Sequence, residues 1–314
     1  MKIVFFGSDN FSLVIAASII NKSHTIEAIV TGPDIKKGRG QQPYESLLKE
    51  FSRESNILCM QPDVLSGDEV LSGLKKFDSD LFLIVSYGRI LPPDILHIPK
   101  FYCINIHPSL LPKYRGPSPV PYTLLNGDTE TGFTIIKLNE KVDCGDIIYQ
   151  EKITIDNGIN SMELIEKIAQ CAGRRLGDVL DDIESGKVRL TKQDEASASY
   201  APFLEKKDGL IDWNTSCDEV HNKIRALIPW PSAYTYYNGK MLKIYKSICL
   251  KEKIEDVNKS NAGTVVEINK QGWITVKVKD GFIRLLDVQY EGKRRMNAHQ
   301  WAIGQRLEKG EGLG

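Results

Sequence analysis

Two runs of consecutive apolar residues limit the fold of this chain more than any other feature. Ile3–Phe6 and Leu81–Val85 contain no polar residue. Strands without polar alternation are typical of parallel sheets that are covered on both faces. A helical stretch over Phe11–Asn21 follows the first run, and Ile26–Thr31 is predicted as the next strand. This β-α-β order predicts a Rossmann-like, doubly wound α/β domain.

The first strand does not lead into a dinucleotide-binding motif. That motif uses three glycines to admit a pyrophosphate, and only Gly7 follows the strand here. Despite the Rossmann-like order of elements, the sequence therefore argues against NAD or FAD binding.

Charge and cysteine content narrow the class of protein. Lys and Arg number 41 and Asp and Glu number 41, so the net charge of the whole chain gives no indication of a partner. The six cysteines are scattered without a Cys-x-x-Cys pair, which argues against a disulfide framework or a structural zinc site and is typical of a reducing compartment. With no signal-peptide pattern and no apolar run of transmembrane length, we expect a cytoplasmic protein without a membrane partner.

The length of 314 residues favours two domains. A helix is predicted from the capping box of Asn160 and Glu163 to Gly186, and a small, polar stretch follows at 193–199. We therefore expect a catalytic domain at 1–190, a linker at 191–204 and a second domain at 205–314. In the second domain, short, evenly spaced strands and an Asn238-Gly239 turn predict a small, OB-like β-barrel.

Basic residues are concentrated in the second domain and in one loop of the first. From Leu204 onward there are 19 Lys and Arg against 14 Asp and Glu. The stretch Pro33–Pro43, which contains Lys36, Lys37 and Arg39, is predicted as a long loop. Both features favour a polyanionic substrate whose phosphates contact the loop and the barrel. The alternative is a solvated, lysine-rich surface and a solvated surface loop.

A polar pair lies at the end of the predicted strand Cys103–His107. Asn105 and His107 are two residues apart, which places both side chains on one face of a strand. Open α/β sheets bind ligands at the carboxyl ends of their strands, so this face is a candidate site. Asp143, on a later turn, is a candidate partner because a carboxylate beside an imidazole fixes its tautomer and favours the cation. The alternatives are a hydrogen-bonded core histidine and a turn-capping aspartate.

These residues fall within longer motifs. Asn105-x-His107 is followed by Ser109-Leu110-Leu111-Pro112-x-Tyr114-Arg115-Gly116, and Asp143 lies in Val142-Asp143-Cys144-Gly145-Asp146. Both motifs resemble those of the folate-dependent formyltransferases. Gly38-Arg39-Gly40, Asp212-Trp213 and Pro229-Trp230-Pro231 resemble the branch of that family that acts on methionyl initiator tRNA.

The resemblance implies an activity and roles for three residues. In that branch a formyl group moves from N10 of 10-formyltetrahydrofolate to the α-amine of methionine on initiator tRNA. By resemblance, Asn105 and a protonated His107 donate hydrogen bonds to the oxyanion, and Asp143 orients His107. No metal is expected, since none of the five histidines lies in a cluster with metal-ligand spacing. The expected partners are folate and initiator methionyl-tRNA, and we expect a monomer.

The binding residues also follow from the resemblance. Folate contacts are expected at Arg89, Ile90, Leu91, Ser109, Leu110, Leu111, Pro112 and Val142. Contacts with tRNA are expected at Lys36, Lys37, Arg39, Lys243, Lys246 and Arg294.

Two other functions are compatible with parts of this pattern. An amino-sugar N-formyltransferase would use the same catalytic set, but it would not need a basic barrel or the Gly38-Arg39-Gly40 loop. A folate-binding or tRNA-binding protein without activity would have no use for the catalytic set. Binding of tRNA separates the first two functions, and turnover separates the third.

Overall fold

The computed structural model describes residues 1–20, 23–37, 42–250 and 260–314. Within them the chain forms two compact units. The first consists of Met1–Pro119, Glu130–Thr154 and Ile165–Ala201, and the second of Val120–Thr129, Ile155–Leu164 and Pro202–Gly314. Of the helices in these residues, none combines the length and the apolar character that a membrane span needs.

The first unit is built on a seven-stranded sheet, which confirms the predicted α/β class. Its strands and a separate two-stranded hairpin are β1 (Lys2–Gly7), β2 (Thr25–Val30), β3 (Ile35–Lys37), β4 (Gln42–Tyr44), β5 (Leu58–Met60), β6 (Leu81–Val85), β7 (Tyr102–His107), β8 (Glu130–Lys137) and β9 (Ile147–Thr154). The sheet order is β5-β2-β1-β6-β7-β8-β9. The strands from β5 to β7 are parallel, and β8 and β9 are antiparallel to their neighbours.

Helices connect these strands. They are α1 (Asn10–Ile19), α2 (Leu47–Glu54), α3 (Asp68–Lys75), α4 (Pro93–Leu96) and α5 (Pro119–Leu125), and a further helix, α6 (Ser161–Glu184), follows β9. The capping box predicted at the start of α6 is confirmed. The Asn160 Oδ1 accepts a hydrogen bond from Glu163 N–H at 3.1 Å, and the Glu163 Oε2 accepts one from Asn160 N–H at 3.0 Å.

The apolar strands predicted from the sequence form the centre of the sheet. Every residue of β6 is buried, and all residues of β1 after Lys2 are buried. The Phe6 ring lies 5.3 Å from that of Phe82 and 5.4 Å from that of Tyr87, measured between centroids. Because these strands are filled with apolar side chains, polar function is left to the loops at the strand ends.

The stretch Pro33–Pro43 differs from the predicted loop. β3 and β4 form an antiparallel hairpin in which Lys36 lies opposite Pro43. The expected loop is therefore partly paired, because a hairpin gives backbone groups partners that a long loop lacks. The following helix, α2, begins at Leu47, after the Ser46 side chain accepts a hydrogen bond from Lys49 N–H.

The second unit contains an antiparallel sheet, as the short, evenly spaced strands predicted, together with helices. Its elements are α7 (Cys217–Ala226), β10 (Ala233–Tyr237), β11 (Lys240–Leu250), β12 (Val265–Asn269), β13 (Trp273–Lys277), β14 (Phe282–Tyr290), β15 (Met296–Asn297) and α8 (Ala298–Gln305). The sheet order is β10-β11-β14-β13-β12, and β15 pairs with β14. Asn238 and Gly239 form the predicted hairpin turn, with φ angles of 49° and 71°.

Residues 311–314 connect the two edges of this sheet. The Val265 N–H donates to Glu311 O at 2.8 Å, and the Gly314 N–H donates to Tyr236 O at 2.9 Å. The first contact lies at the start of β12 and the second on β10. The segment thereby covers backbone groups at both edges, as the closing segment of a small barrel does.

One disulfide lies in the second unit. Cys217 on α7 is bonded to Cys249 on β11, although 32 residues separate them along the chain. The scattered spacing of the cysteines argues against a disulfide framework and does not indicate this bond. The pairing depends on the packing of α7 against β11, which sequence spacing does not reveal. The other four cysteines are free.

Candidate catalytic site

β7 positions the predicted polar pair. Asn105 and His107 lie on this strand, between β6 and β8, and His107 is its last residue. The prediction that both residues lie on one strand, at its carboxyl end, is confirmed. His107 is buried, at 4 % exposure, and Asn105 is half-buried.

The loop after β7 orients the His107 ring. The Nε2 of His107 lies 2.8 Å from Tyr114 O. A carbonyl oxygen only accepts, so the hydrogen-bond partner assigns a proton to Nε2. The other ring nitrogen, Nδ1, lies 3.6 Å from the Asp143 Oδ2. His107 is therefore held at one nitrogen by backbone and presents the other to a carboxylate.

Asp143 is the point at which the three predicted catalytic side chains meet. It follows β8 on a turn and has a φ of 53°, in the left-handed region. Its Oδ2 accepts a hydrogen bond from Gly116 N–H at 2.8 Å, and its Oδ1 accepts one from the Asn105 Nδ2 at 3.4 Å. Together with the His107 contact, these bonds place Asn105, His107 and Asp143 in one cluster.

Two glycines allow the backbone to approach this cluster closely. Gly116 has a φ of 108°, and a Cβ there would lie 2.9 Å from Ala201 O. A Cβ at Gly145 would lie 1.7 Å from Lys137 O, closer than side-chain atoms can approach. Both turns thus require glycine, one for its conformation and the other for its space.

The Ser109–Pro112 segment is tied to the neighbouring strands. The Thr134 Oγ1 donates to Ser109 O at 2.6 Å and accepts from Leu111 N–H at 3.1 Å. The Gln150 Nε2 donates to Leu111 O at 2.9 Å. Ser109 and Leu111 are buried, and Leu110 and Pro112 are half-buried. The structure thus places these predicted folate contacts in a fixed loop directly after His107.

The other predicted folate contacts lie on two further loops. The Arg89 Nη1 donates to Pro62 O at 2.9 Å and to Asp63 O at 3.1 Å. Ile90 is 74 % exposed and Val142 is 55 % exposed, whereas Leu91 is buried. Ile90 and Val142 therefore present apolar surface to solvent, while Arg89 and Leu91 hold their loop in place.

A cavity of about 770 Å³ adjoins the Asp143 turn. Lys141 and Cys144, on either side of Val142 and Asp143, contribute to its wall. Leu96 and Leu138 supply apolar lining. None of the eight predicted folate contacts, all of which the structure describes, lines this cavity.

The predicted tRNA contacts are distributed over both units. Lys246 and Arg294 are exposed in the second unit, and Lys243 lines a cavity of about 500 Å³ together with Lys206. Lys36 and Lys37 lie on β3. Arg39 lies outside the described residues.

A group of residues that was not predicted from the sequence supports the cluster. Arg115 is 1 % exposed and forms a bidentate ion pair with Glu195, with N–O distances of 2.8 and 2.9 Å. The bonds to Glu195 raise the pKa of Arg115, and those to Arg115 lower the pKa of Glu195. Gln193 contacts both Arg115 and the Asp143 turn.

Gln193 and Glu195 belong to the stretch for which the sequence predicts a linker. Residues 193–201 are instead hydrogen-bonded within the first unit: Tyr114 N–H donates to the Ser199 Oγ at 2.9 Å, and Ala201 N–H donates to Arg115 O at 2.7 Å. The small, polar composition of the stretch gave no signal of this packing. Arg115 lies within the predicted motif, but its burial, and with it the need for a partner, becomes apparent only in the structure.

Comparison with known proteins identifies the family. Residues 1–180 match the formyl transferase family model, and residues 204–306 match the model of the formyl transferase C-terminal domain. The protein belongs to the formyl transferase family. Its relatives include methionyl-tRNA formyltransferases of Caldicellulosiruptor saccharolyticus, 40% identical, and of Clostridioides difficile, 37% identical. The matches cover 99% of both chains in the first case and 100% of both in the second.

Solved structures of formyl transferases share the fold. A sugar 3N-formyl transferase, solved in the presence of dTDP and 5-N-formyl-THF, has a TM-score of 0.67 and 22% identity, covering 94% of this chain and 99% of that chain. A methionyl-tRNA formyltransferase from Clostridium thermocellum has a TM-score of 0.54 and 17% identity, covering 81% of this chain and 95% of that chain. At these identities the likeness supports the architecture alone.

Proposed function

We propose that this formyl transferase moves a formyl group from 10-formyltetrahydrofolate to the α-amine of methionyl initiator tRNA. The observation that carries the proposal is the convergence of the Asn105 Nδ2 and the His107 Nδ1 on the carboxylate of Asp143. The acceptor is supported by relatives named methionyl-tRNA formyltransferase that match this chain over its whole length.

The reaction exchanges one carbon–nitrogen bond for another. The α-amine nitrogen attacks the formyl carbon, and the carbonyl oxygen becomes the oxyanion of a tetrahedral intermediate. The amine nitrogen loses a proton, N10 gains one, and the bond between N10 and the formyl carbon breaks. An α-amine has a pKa of about 7.7–8, so a useful fraction is neutral and nucleophilic near pH 7.

The three side chains divide the work of this step. The Asn105 amide and a protonated His107 donate hydrogen bonds to the oxyanion, and loss of one such donor costs roughly 3–4 kcal/mol of transition-state stabilisation. Because Tyr114 O occupies the Nε2 of His107, the Nδ1 is the ring nitrogen that acts. Asp143 orients that nitrogen and helps to move the proton from the amine to N10.

The donor lies against the loops that surround this cluster. The folate contacts are assigned to the Ser109–Pro112 loop, to Arg89–Leu91 and to Val142. The exposed apolar surfaces of Ile90 and Val142 support this assignment. A folate donor is also supported by the sugar 3N-formyl transferase neighbour that was solved with 5-N-formyl-THF.

The acceptor is bound by the basic residues. The chemistry is assigned to 1–190 together with the packed stretch 193–201, and RNA binding to 205–314, in a cytoplasmic monomer. Lys243, Lys246 and Arg294 contact phosphates, supported by the 19 Lys and Arg against 14 Asp and Glu from residue 204 onward. Lys36, Lys37 and Arg39 contact the acceptor end of the tRNA.

The choice of acceptor is tested with the wild-type protein and labelled 10-formyltetrahydrofolate. Methionyl initiator tRNA, free methionine amide and a nucleotide-linked amino sugar are offered in parallel. The proposal predicts label in the tRNA fraction alone, and a gel shift with tRNA that salt weakens. Label in the amino sugar would reassign the protein to sugar formylation, and folate binding without transfer to any acceptor would make it a binding protein.

A further inference from the structure

The side-chain amide of Gln193 makes four hydrogen bonds, to the backbone of the Asp143 turn and to the Arg115 guanidinium. Its Nε2 donates to Asp143 O and to Gly145 O, each at 2.8 Å. Its Oε1 accepts from the Arg115 Nε at 3.1 Å and from the Arg115 Nη2 at 2.8 Å. Both N–H groups and both oxygen lone pairs of the amide are therefore used.

The partners of this amide allow only one orientation. Carbonyl oxygens only accept hydrogen bonds, and a guanidinium group only donates them. A rotation of the Gln193 amide by 180° would place N–H groups against Arg115 and an oxygen against two carbonyl oxygens. The amide therefore has a single orientation. Its N–H groups hold the backbone carbonyls of Asp143 and Gly145.

The backbone at these positions sets the location of the Asp143 carboxylate. Asp143 is left-handed, with a φ of 53°, and Gly145 passes so close to Lys137 O that it has no room for a side chain. Within the turn, the Cys144 N–H donates to Lys141 O at 3.4 Å. Gln193 bonds the carbonyls of the turn at 143 and 145, so it restricts the direction in which the Asp143 side chain points.

Arg115 anchors Gln193 and connects it with the other side of the cluster. Its guanidinium is buried and fixed by the bidentate pair with Glu195. The residues on either side of Arg115 are the two that hold the catalytic groups: Tyr114 O bonds His107, and Gly116 N–H bonds Asp143. One framework therefore fixes both ends of the His107–Asp143 pair.

We propose that Gln193 is a positioning residue for formyl transfer, which keeps the Asp143 carboxylate within contact distance of Asn105 and His107. It touches neither substrate and acts only through the Asp143 turn. The expected changes in kcat rest on the proposed function. The expected changes in the structure of the Asp143 turn rest on the hydrogen bonds alone.

The kinetic test uses two substitutions with different expectations. Gln193→Met keeps the length of the side chain and removes all four hydrogen bonds. It should lower kcat about 10- to 100-fold with little change in KM for either substrate, because small misplacements of catalytic groups have effects of this size. Gln193→Glu keeps two acceptors for Arg115 but turns a carboxylate oxygen toward two carbonyl oxygens, so it should lose as much activity.

The two variants separate this role from a simple contact with Arg115. If Gln193 served only as a partner for Arg115, Gln193→Glu would remain active, and that result would overturn the proposal. Gln170→Met is the matched control, since Gln170 is exposed on α6 and its amide bonds Glu166 one helical turn away. It should keep wild-type kcat.

A double-mutant cycle tests whether Gln193 acts through Asp143. In an Asp143→Asn background, Gln193→Met should lower kcat less than twofold further, because the group that it positions is already disabled. A full 10- to 100-fold loss in both backgrounds would mean that Gln193 acts elsewhere, for example on overall folding.

A measurement without activity separates this inference from the proposed function. Hydrogen exchange of peptides covering 138–146 should be faster in Gln193→Met than in the wild type and the Gln170→Met control. Unchanged exchange would overturn the positioning role of Gln193 even if the enzyme formylates tRNA. Faster exchange in the variant, together with a wild type that transfers no formyl group, would support the hydrogen bonding of the Asp143 turn by Gln193 and overturn the proposed function.

Discussion

The Asn105–His107–Asp143 cluster of the first unit and the basic residues Lys243, Lys246 and Arg294 of the second lie in different environments. In the first, His107 is 4 % exposed and Asp143 is 9 % exposed, and each contacts partners at fixed distances. In the second, Lys246 and Arg294 are exposed to solvent. The contribution of buried, hydrogen-bonded groups depends on the geometry of each contact. Exposed charges contribute through their number, and salt screens them.

Substitutions in the two regions should therefore behave differently. A change in the cluster should have a large effect on kcat that salt does not alter. A change at Lys243, Lys246 or Arg294 should have a small effect on KM for tRNA that salt does alter.

Asp143→Asn should produce the largest effect. Asparagine has nearly the same shape and tolerates a positive φ, so the turn should keep its conformation. The loss of the charge opposite His107 removes its proton-transfer partner, and kcat should fall about 100- to 1,000-fold. Steady-state formyl transfer measures this, with thermal unfolding as the check on folding. A variant within threefold of wild type would remove Asp143 from the mechanism.

Gly145→Ala should have an intermediate effect, on stability as well as on activity. The new Cβ would meet Lys137 O at 1.7 Å, so the turn that carries Asp143 must shift. We expect about 1–3 kcal/mol lower free energy of unfolding, from overpacking, together with reduced kcat. Gly32→Ala is the matched control, because a Cβ at Gly32 meets no atom within 4 Å. Equal stability of the two variants in urea unfolding would show that the turn adapts freely.

Lys243→Ala combined with Arg294→Ala should have the smallest effect. These side chains are proposed to contact phosphates, so KM for tRNA should rise several-fold while kcat stays near wild type. The slope of log KM against log salt should fall by about two, since each lost phosphate contact removes about one from it. An unchanged salt slope would mean that the RNA lies elsewhere on the protein.

The sequence contained the local features of this fold and site. Asn105 and His107 were predictable because a spacing of two places both on one face of any strand. The Asn160–Glu163 capping box and the Asn238-Gly239 turn were predictable for the same reason, since each depends on neighbouring residues.

The remaining features depend on contacts between residues far apart in the chain. Asp143 meets Asn105 across 38 residues and Gln193 across 50. Neither hydrophobic periodicity nor local propensity predicts contacts between residues so far apart. The composition of 193–199 favoured a linker. The Cys217–Cys249 disulfide belongs to the same class of feature, because it requires a helix to pack on a strand.

The most direct test of the central claim compares wild type with His107→Ala in single-turnover transfer of labelled formyl to methionyl initiator tRNA. Folate binding is measured on the same samples. We expect the wild type to transfer label, and His107→Ala to bind folate but to transfer at least ~100-fold more slowly. Equal single-turnover rates for the two proteins would contradict the assignment of the Asn105–His107–Asp143 cluster as the catalytic centre.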